Sequence, residues 1–219
     1  MEDREIGKVL GILKRWAKTG RKTAVSQVVE EEGRDPFKIL ISCLLSLRTK
    51  DETTHEAARR LFQLAHTPEG MLTLNQKTIE KAIYPVGFYR SKAKTILEIC
   101  QVLVRNYGGR IPETIDELLR LKGVGRKTAN LVVTMAYGKP GICVDTHVHR
   151  ITNRWGYVRT KTPNETEIAL REKLPKRYWL PLNDLLVAFG QNLCKPVSPF
   201  CSRCPVERHC PRIGVVFHR

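Results

Sequence analysis

The sequence lacks the features that mark membrane, fibrous and disordered proteins. Its longest mainly apolar stretch, 37–47, carries Lys38, Ser42 and Ser46 and falls short of the ~20 residues that a membrane-spanning helix needs. Its 15 glycines and 12 prolines in 219 residues are ordinary numbers, which excludes collagen-like and low-complexity chains. Because 42% of the residues are hydrophobic, the chain can bury a core, and wholesale disorder is excluded as well.

A secretory signal is also lacking. The N-terminus begins with Glu2, Asp3 and Arg4 and then spaces its apolar residues periodically, whereas a signal peptide places an unbroken apolar core after a basic segment. The sequence therefore predicts a protein of the cytosol that contacts no membrane. In that reducing compartment, seven cysteines indicate metal ligation more than disulfides.

Acidic residues are few relative to basic ones. The chain has 38 Lys and Arg against 22 Asp and Glu, which gives a formal net charge of +16. Such an excess exceeds what solubility requires, and clustered cations gain affinity for nucleic acids by releasing counterions from phosphates. The charge balance therefore favours a nucleic acid as the partner.

The pattern of apolar residues is helical nearly throughout. Strict alternation bounded by hairpin turns is missing, so sheet is at most incidental, and no repeat of fixed period is present. The segment 37–47 is apolar on every side of a helix, which marks a helix buried all round. We predict an all-α fold with helices over 37–47, 54–64, 76–83, 91–107, 115–121, 129–136 and 182–193, and further helices near Val9 and from Thr146.

Four of the seven cysteines lie within the last 26 residues. Cys194, Cys201, Cys204 and Cys210 form a C-x6-C-x2-C-x5-C run, and loops this short let four thiolates converge on one inorganic centre. A four-cysteine zinc site and a [4Fe–4S] cluster are both candidates. Zinc sites usually contain two C-x2-C pairs, so the single pair favours the cluster modestly. The other three cysteines, Cys43, Cys100 and Cys143, are expected to be small buried hydrophobes.

Two glycines separate two of the predicted helices. Gly123 and Gly125 permit a tight helix-hairpin-helix and turn backbone N–H groups outward at a helix N-terminus, where a phosphate is attracted. The Walker nucleotide-binding pattern fails, because Arg126 and not glycine precedes Lys127. The hairpin is therefore expected to bind the backbone of DNA.

Lys127 follows this hairpin in the first turn of the next helix. Arg126 and the positive end of the helix both disfavour a further cation there, which raises the fraction of neutral amine that can act as a nucleophile. An ordinary phosphate-contacting lysine is an equally good interpretation of the residue by itself.

Asp145 lies in Val-Asp-Thr-His, directly before another predicted helix. Its common role is to cap that helix. If packing brings the carboxylate to the hairpin, it can also stabilise positive charge on a sugar that is losing its base, or accept a proton from the lysine.

Together these motifs resemble the endonuclease III family of helix-hairpin-helix DNA glycosylases. The resemblance rests on Leu-Lys-Gly-Val-Gly-Arg-Lys-Thr-Ala-Asn at 121–130, Val-Asp-Thr-His at 144–147 and the cysteine run, in that order, and it covers nearly the whole chain. It implies a bifunctional enzyme that excises oxidised pyrimidines from duplex DNA and cleaves the abasic strand. It also implies a [4Fe–4S] cluster as cofactor.

The resemblance assigns roles to individual residues. Lys127 would form a Schiff base with the sugar, Asp145 would support base loss, and Cys194, Cys201, Cys204 and Cys210 would hold the cluster. The implied DNA contacts are the amides of Gly123 and Gly125, with Arg126, Arg48, Phe88, Ser46, Asp51 and His147. Phe88 would fill space in the opened helix and offset part of the unstacking cost.

The family fold implies two all-α lobes with a DNA cleft between them. A six-helix barrel with the hairpin would occupy 29–139, and 1–28 with 140–219 would form the iron–sulfur lobe. We expect a monomer that acts on duplex DNA carrying oxidised pyrimidines or abasic sites, in the cytoplasm and associated with a bacterial or archaeal nucleoid.

Two positions depart from the familiar bacterial pattern. Arg48 replaces a glutamine that enters the gap left by a flipped nucleotide, and its longer, donor-only cation is expected to change the choice of opposite base. Lys122 replaces a proline, which is expected to loosen the start of the hairpin and to add charge near Lys127.

Three other functions fit parts of the sequence. A non-catalytic helix-hairpin-helix module with a four-cysteine metal site shares the hairpin and the tail. An adenine-mismatch glycosylase shares both as well, but lacks a lysine at position 127 and carries a further C-terminal domain. An electron carrier is poorly served by a charge of +16.

Overall fold

A computed structural model describes residues 1–17 and 24–219 of the chain. Within those ranges the regular structure is helical and no strand is present, which confirms the predicted all-α class. The α-helices of the described residues are α1 (Asp3–Trp16), α2 (Ala24–Glu32), α3 (Pro36–Ser46), α4 (Asp51–Leu64), α5 (Pro68–Leu72), α6 (Gln76–Ile83), α7 (Tyr89–Tyr107), α8 (Ile115–Leu118), α9 (Arg126–Tyr137), α10 (Thr146–Arg154), α11 (Pro163–Lys173) and α12 (Trp179–Asn192). None of the helices described is both long enough and apolar enough to cross a bilayer.

Contacts divide the chain into two compact units. Met1–Arg21 and Pro140–Arg219 form one, which we call the terminal unit, and Lys22–Lys139 form the other, the central unit. Each unit has its own cluster of buried apolar side chains.

The central unit is built around α3. Asp35 caps this helix by accepting hydrogen bonds from the amides of Phe37 (2.8 Å) and Lys38 (3.0 Å), and Pro36 suits the first helical position because it has no N–H to satisfy. Every residue from 39 to 45 is buried, and α2, α4, α7 and α9 pack around the helix. The prediction of a helix buried all round is confirmed.

The terminal unit joins the two ends of the chain. Helix α1 packs against α12, and α12 packs against α10. Trp155, Tyr157 and Phe189 are the largest side chains buried in this core. After α12 the chain forms two short 3-10 turns, Cys201–Arg203 and Glu207–His209, which carry three of the four C-terminal cysteines or lie beside them.

Several elements differ from the predicted ones. Helix α8 ends at Leu118 instead of 121, because the chain then turns into the hairpin, and α12 begins at Trp179 instead of 182. Helices α2, α5 and α11 had no predicted counterpart. In α11 the buried face carries Thr166 and Glu167 beside Leu170, so its apolar periodicity is weak.

Candidate active site

A glycine hairpin connects α8 to α9 in the central unit. Leu121 and Val124 are buried, and the Val124 amide donates a hydrogen bond to the Leu121 carbonyl over 3.1 Å. Gly123 has φ +77°, a left-handed conformation that costs other residues roughly 1–2 kcal/mol. The two buried side chains therefore anchor the hairpin, while Gly123 and Gly125 are exposed at its tip.

Gly125 occupies the N-cap position of α9. Among the described residues no side chain caps this end of the helix, and a Cβ added at Gly125 would meet nothing within 4 Å. The helix dipole is thus directed at an open surface, a geometry that suits an anion.

Lys127 lies in the first turn of α9 with its side chain exposed. The three residues that follow, Thr128, Ala129 and Asn130, are buried, so the helix presents Lys127 on its solvent side. Its charge also acts on the Cys43 thiol in α3. The lysine therefore stands on a rigid, packed helix and not on a mobile loop.

Lys122 at the start of the hairpin makes an ion pair with Glu98 of α7. Its Nζ lies 3.0 Å from Oε1 and 2.9 Å from Oε2 of that carboxylate. The residue that replaces the expected proline is therefore tied to a helix, and this contact offsets the predicted loosening.

Asp145 of the terminal unit caps α10, as its position before the helix indicates. One carboxylate oxygen, Oδ1, accepts hydrogen bonds from the amides of His147 (2.8 Å) and Val148 (2.9 Å). Desolvation raises the pKa of the Asp184 carboxyl on α12, and the charge of Asp145 raises it further. The charge of Asp145 therefore acts on a second acidic group within the terminal unit.

His147 lies in the first turn of α10. Its Nδ1 is 3.0 Å from Nη2 of Arg150, and the ring lies close to Gly190 of α12. The imidazole is half-buried and packed within the terminal unit.

Arg48 and Phe88 are brought together in the central unit. They lie in separate loops, before α4 and before α7, yet the Arg48 guanidinium is 5.6 Å from the centre of the Phe88 ring. Both side chains are exposed, and both residues have positive φ, 54° and 59°. Ser46, whose hydroxyl donates to the Cys43 carbonyl over 2.8 Å, and Asp51, in the first turn of α4, flank the first loop.

Lys92 of α7 is a residue that the sequence analysis missed. Its Nζ donates to the carbonyls of Leu45 (2.8 Å) and Leu47 (2.6 Å) and to the Thr49 hydroxyl (3.2 Å). A signal was present, because Lys92 precedes Ile96, Ile99 and Leu103 at i, i+4, i+7 and i+11, and so lies on the apolar stripe of the helix.

The four C-terminal cysteines line one pocket of the terminal unit. Trp155, Phe189, Phe200 and Arg154 contribute to the same pocket, and no pair is joined in a disulfide. Burial raises the pKa of Cys204 to about 11, so this sulfur needs a cation to be held as a thiolate. The residues described contain no group of three or more His, Cys, Asp or Glu spaced to hold a single metal ion. The observations that favour a metal centre here are therefore the pocket that the four cysteines share and their soft sulfur donors.

Two arginines of α10 secure the first of these cysteines. Arg154, only 8% exposed, donates to Cys194 Sγ over 3.4 Å and to the carbonyls of Lys195 and Pro196 over 2.7 Å each. Arg150 donates to the Cys194 carbonyl over 2.8 Å. A buried guanidinium beside a sulfur favours a negatively charged centre in the pocket.

The remaining cysteines behave as predicted. Cys43, Cys100 and Cys143 are buried, and burial raises the pKa of Cys43 and of Cys100 to about 12. All three are packing residues, and the thiols of Cys43 and Cys100 stay protonated.

Comparison with known proteins identifies relatives over most of the chain. Residues 41–176 match the family model described as HhH-GPD superfamily base excision DNA repair protein. An endonuclease III from Thermotoga maritima is 48% identical over 176 residues, which are 80% of this chain and 83% of that protein.

Solved structures agree with this likeness. A non-covalent endonuclease III–DNA complex is 34% identical with a TM-score of 0.85, and the match covers 97% of this chain and 96% of that one. A trapped covalent endonuclease III–DNA intermediate is 32% identical with a TM-score of 0.84, covering 97% of each chain.

Proposed function

The chain belongs to the endonuclease III family of base excision DNA repair proteins and is a bifunctional DNA glycosylase/AP lyase; from this premise we propose that its substrates are oxidised pyrimidines in duplex DNA and that Lys127 and Asp145 perform the chemistry. The observation that carries the proposal is the exposed residue Lys127 in the first turn of a packed helix, whose N-terminus follows the glycine hairpin and has no side-chain cap among the described residues.

In the proposed reaction the amine of Lys127 replaces the damaged base. A bond forms between Nζ and C1′ as the bond from C1′ to the base breaks, and the base leaves with the electron pair and takes up a proton. The sugar ring opens to give an imine with Lys127. Loss of a C2′ proton then expels the 3′ phosphate, which cleaves the strand, and hydrolysis of the imine releases the lysine.

Asp145 supports the departure of the base. Both capping amides bind its Oδ1, so the second oxygen, Oδ2, can face the positive charge that develops on the sugar. The helix cap fixes the carboxylate in place without neutralising it, which is the preorganisation that electrostatic stabilisation requires.

Other predicted residues bind and open the duplex. The amides of Gly123 and Gly125 and the side chain of Arg126 contact phosphates on one side of the lesion. Arg48 and Phe88 enter the space left by the flipped nucleotide. Ser46, Asp51 and His147 are assigned as further DNA contacts.

Cys194, Cys201, Cys204 and Cys210 would hold a [4Fe–4S] cluster, which would supply a rigid centre for the tail and no step of the base excision. The pocket they share and the buried Arg154 beside Cys194 support this assignment. Purified protein should be brown and contain about four irons per chain, whereas a colourless protein that contains zinc would refute the assignment.

We further propose that the protein works as a monomer on the DNA of a bacterial or archaeal cytoplasm. The solved relatives described as DNA complexes and the net charge of +16 support DNA as the partner.

Borohydride trapping tests the proposed chemistry. A duplex with one oxidised pyrimidine is incubated with protein and borohydride, which reduces an imine to a stable cross-link. Wild-type protein and the control Lys139→Gln, which removes a half-buried lysine just after α9, should both be trapped. Lys127→Gln should bind the duplex but give no cross-link.

The outcomes separate the competing functions. Undiminished trapping by Lys127→Gln would refute the assigned nucleophile. DNA binding without cleavage or trapping by the wild type would favour the non-catalytic helix-hairpin-helix module with a metal site.

A further inference from the structure

One ammonium group connects the two loops that carry Arg48 and Phe88. Lys92 lies in the first turn of α7, directly after the Phe88 loop, and reaches across to the loop that follows α3. There its Nζ meets three acceptors, the Leu45 carbonyl, the Leu47 carbonyl and the Thr49 hydroxyl, at 2.6–3.2 Å. An ammonium has three donor hydrogens, so this position matches its full capacity.

A second contact joins the same loops at their backbones. The amide of Gly87 donates to the Thr49 hydroxyl over 3.1 Å. A Cβ at Gly87 would lie 2.6 Å from the Arg48 carbonyl oxygen, so only glycine permits the loops to approach this closely. Thr49 therefore receives bonds from both Lys92 and Gly87 and is the shared point of attachment.

The result of these contacts is an exposed pair of side chains held on a constrained backbone. Arg48 and Phe88 both have left-handed backbone conformations, which cost energy and persist where the surrounding structure imposes them. Phe88 is 63% exposed, and the Arg48 guanidinium lies 5.6 Å from its ring. Two residues that are 40 positions apart in sequence thus present one cationic and apolar surface.

We infer that Lys92 is a positioning residue that holds Arg48 and Phe88 as one preassembled unit, and that the discrimination between bases opposite the lesion depends on it. The inference rests on the proposed function, because it assigns the pair to the opened duplex. A preassembled pair enters the DNA without first ordering two loops, so less binding energy is lost at that step.

The state of Lys92, which is half-buried, agrees with a structural role. Desolvation lowers its pKa to about 8, because the nitrogen has exchanged water for backbone carbonyls. A lysine that served only to attract phosphates would keep its ammonium in solvent.

Lys92→Met tests the inference, with Lys94→Met as its matched control. Lys94 lies on the same helix and is exposed, so the control removes the same charge without touching either loop. Single-turnover rates are measured on duplexes with one lesion opposite each of the four bases, and on a single-stranded abasic oligonucleotide, which has no opposite base.

We expect Lys92→Met to lose on the order of tenfold in rate on the preferred duplex. We also expect smaller differences in rate between duplexes that differ in the base opposite the lesion. Its lyase rate on the single strand, its melting temperature and all rates of Lys94→Met should stay close to wild type. A duplex with 2-aminopurine opposite the lesion gives a direct readout, because insertion of the pair changes the fluorescence of that base. The change should be smaller for Lys92→Met at saturating protein.

The effect should also depend on the residues that Lys92 positions. In an Arg48→Ala, Phe88→Ala background, adding Lys92→Met should cost nothing more, since coupled residues are non-additive. If Lys92→Met fails to fold, Thr49→Val removes the shared attachment point and should show the same loss of discrimination.

Unchanged opposite-base discrimination in both variants, or an equal loss on duplex and single strand, would overturn the inference. Failure of the proposed function is a different result, since the wild-type protein would then form no borohydride cross-link with any substrate.

Discussion

Asp145 caps a helix, and the proposed function assigns it a catalytic role as well. Aspartate before a helix is most often a cap, and the carboxylate does bind the amides of His147 and Val148. Because both bonds involve Oδ1, the cap leaves the second oxygen available. The cap could be predicted from the position of Asp145 in the sequence alone. The assigned catalytic role, in contrast, requires the negative charge of its carboxylate.

Asp145→Asn separates the two roles. Asparagine caps helices as well as aspartate, so the free energy of unfolding should fall by no more than about 1 kcal/mol, the value of the lost charge at the helix dipole. Base excision should fall by roughly 10² to 10⁴, as for loss of a catalytic group. Urea unfolding and single-turnover excision measure the two effects. Normal excision by a stable Asp145→Asn protein would show that the residue is only a cap.

The lowered pKa of Lys92 predicts how the stability of the protein depends on pH. Its pKa is about 8 in the folded protein and about 10.4 in an unfolded chain, so between these values the unfolded chain binds more protons. The free energy of unfolding contributed by this group therefore rises with pH in that window. Wild-type stability relative to Lys92→Met should be constant below about pH 7 and should increase from about pH 8 to pH 10. Urea unfolding at fixed pH values measures this difference in stability, and a constant difference throughout would contradict the desolvation of the ammonium.

At the scale of elements, the two glycines of the hairpin, Gly123 and Gly125, have different structural roles. Gly123 needs its left-handed backbone, and its Cβ would lie 3.0 Å from Thr95 Cγ2. Gly125 has φ −92° and open space around it. The motif alone could not distinguish them, because the difference lies in backbone angles that the local packing sets.

Substitution by alanine should expose this difference. Gly123→Ala should lower the free energy of unfolding by about 1–2 kcal/mol, whereas Gly125→Ala should leave it unchanged or slightly higher. Gly125→Ala should instead weaken DNA binding, since a methyl group would stand where a phosphate approaches the α9 amides. Urea unfolding and fluorescence anisotropy with a labelled duplex give the two readouts. Equal destabilisation by both variants would argue against the distinct roles.

The success of prediction also differed between elements. Helix α3 was predicted correctly because a helix that is apolar on every side is stable only when it is buried. Helix α11 was missed because its buried residues include Thr166 and Glu167, and a polar residue inside the core is stabilised by partners that sequence spacing does not reveal. Arg171, whose Nε lies 2.8 Å from the Glu167 carboxylate, is such a partner.

At the scale of the whole molecule, the net charge could be predicted from the sequence directly, whereas the chain topology could not. Net charge could be read from composition, and it favoured a polyanion before any motif was considered. The joining of both chain ends in one unit could be predicted only by resemblance, because the contacts between α1 and α12 connect distant segments through apolar surfaces that many helices share. Iron analysis tests the proposed identity of the cysteine centre.

Binding to DNA should be strongly dependent on salt. Phosphate contacts release counterions, so the logarithm of the association constant should fall linearly with the logarithm of salt concentration. Arg126→Gln should reduce the magnitude of that slope by about one. Phe88→Ala should weaken binding without changing the slope, because the ring carries no charge. Anisotropy titrations across a salt series measure both, and a slope near zero for the wild type would contradict a phosphate-binding surface.

The central claim is that the amine of Lys127 forms the covalent intermediate, and peptide mapping of the borohydride-reduced complex tests it most directly. After digestion of the protein and the DNA, mass spectrometry locates the amine that carries the reduced sugar. We predict that the remnant lies on Lys127. Its location on the N-terminal amine, on Lys92 or on Lys122 would contradict the account.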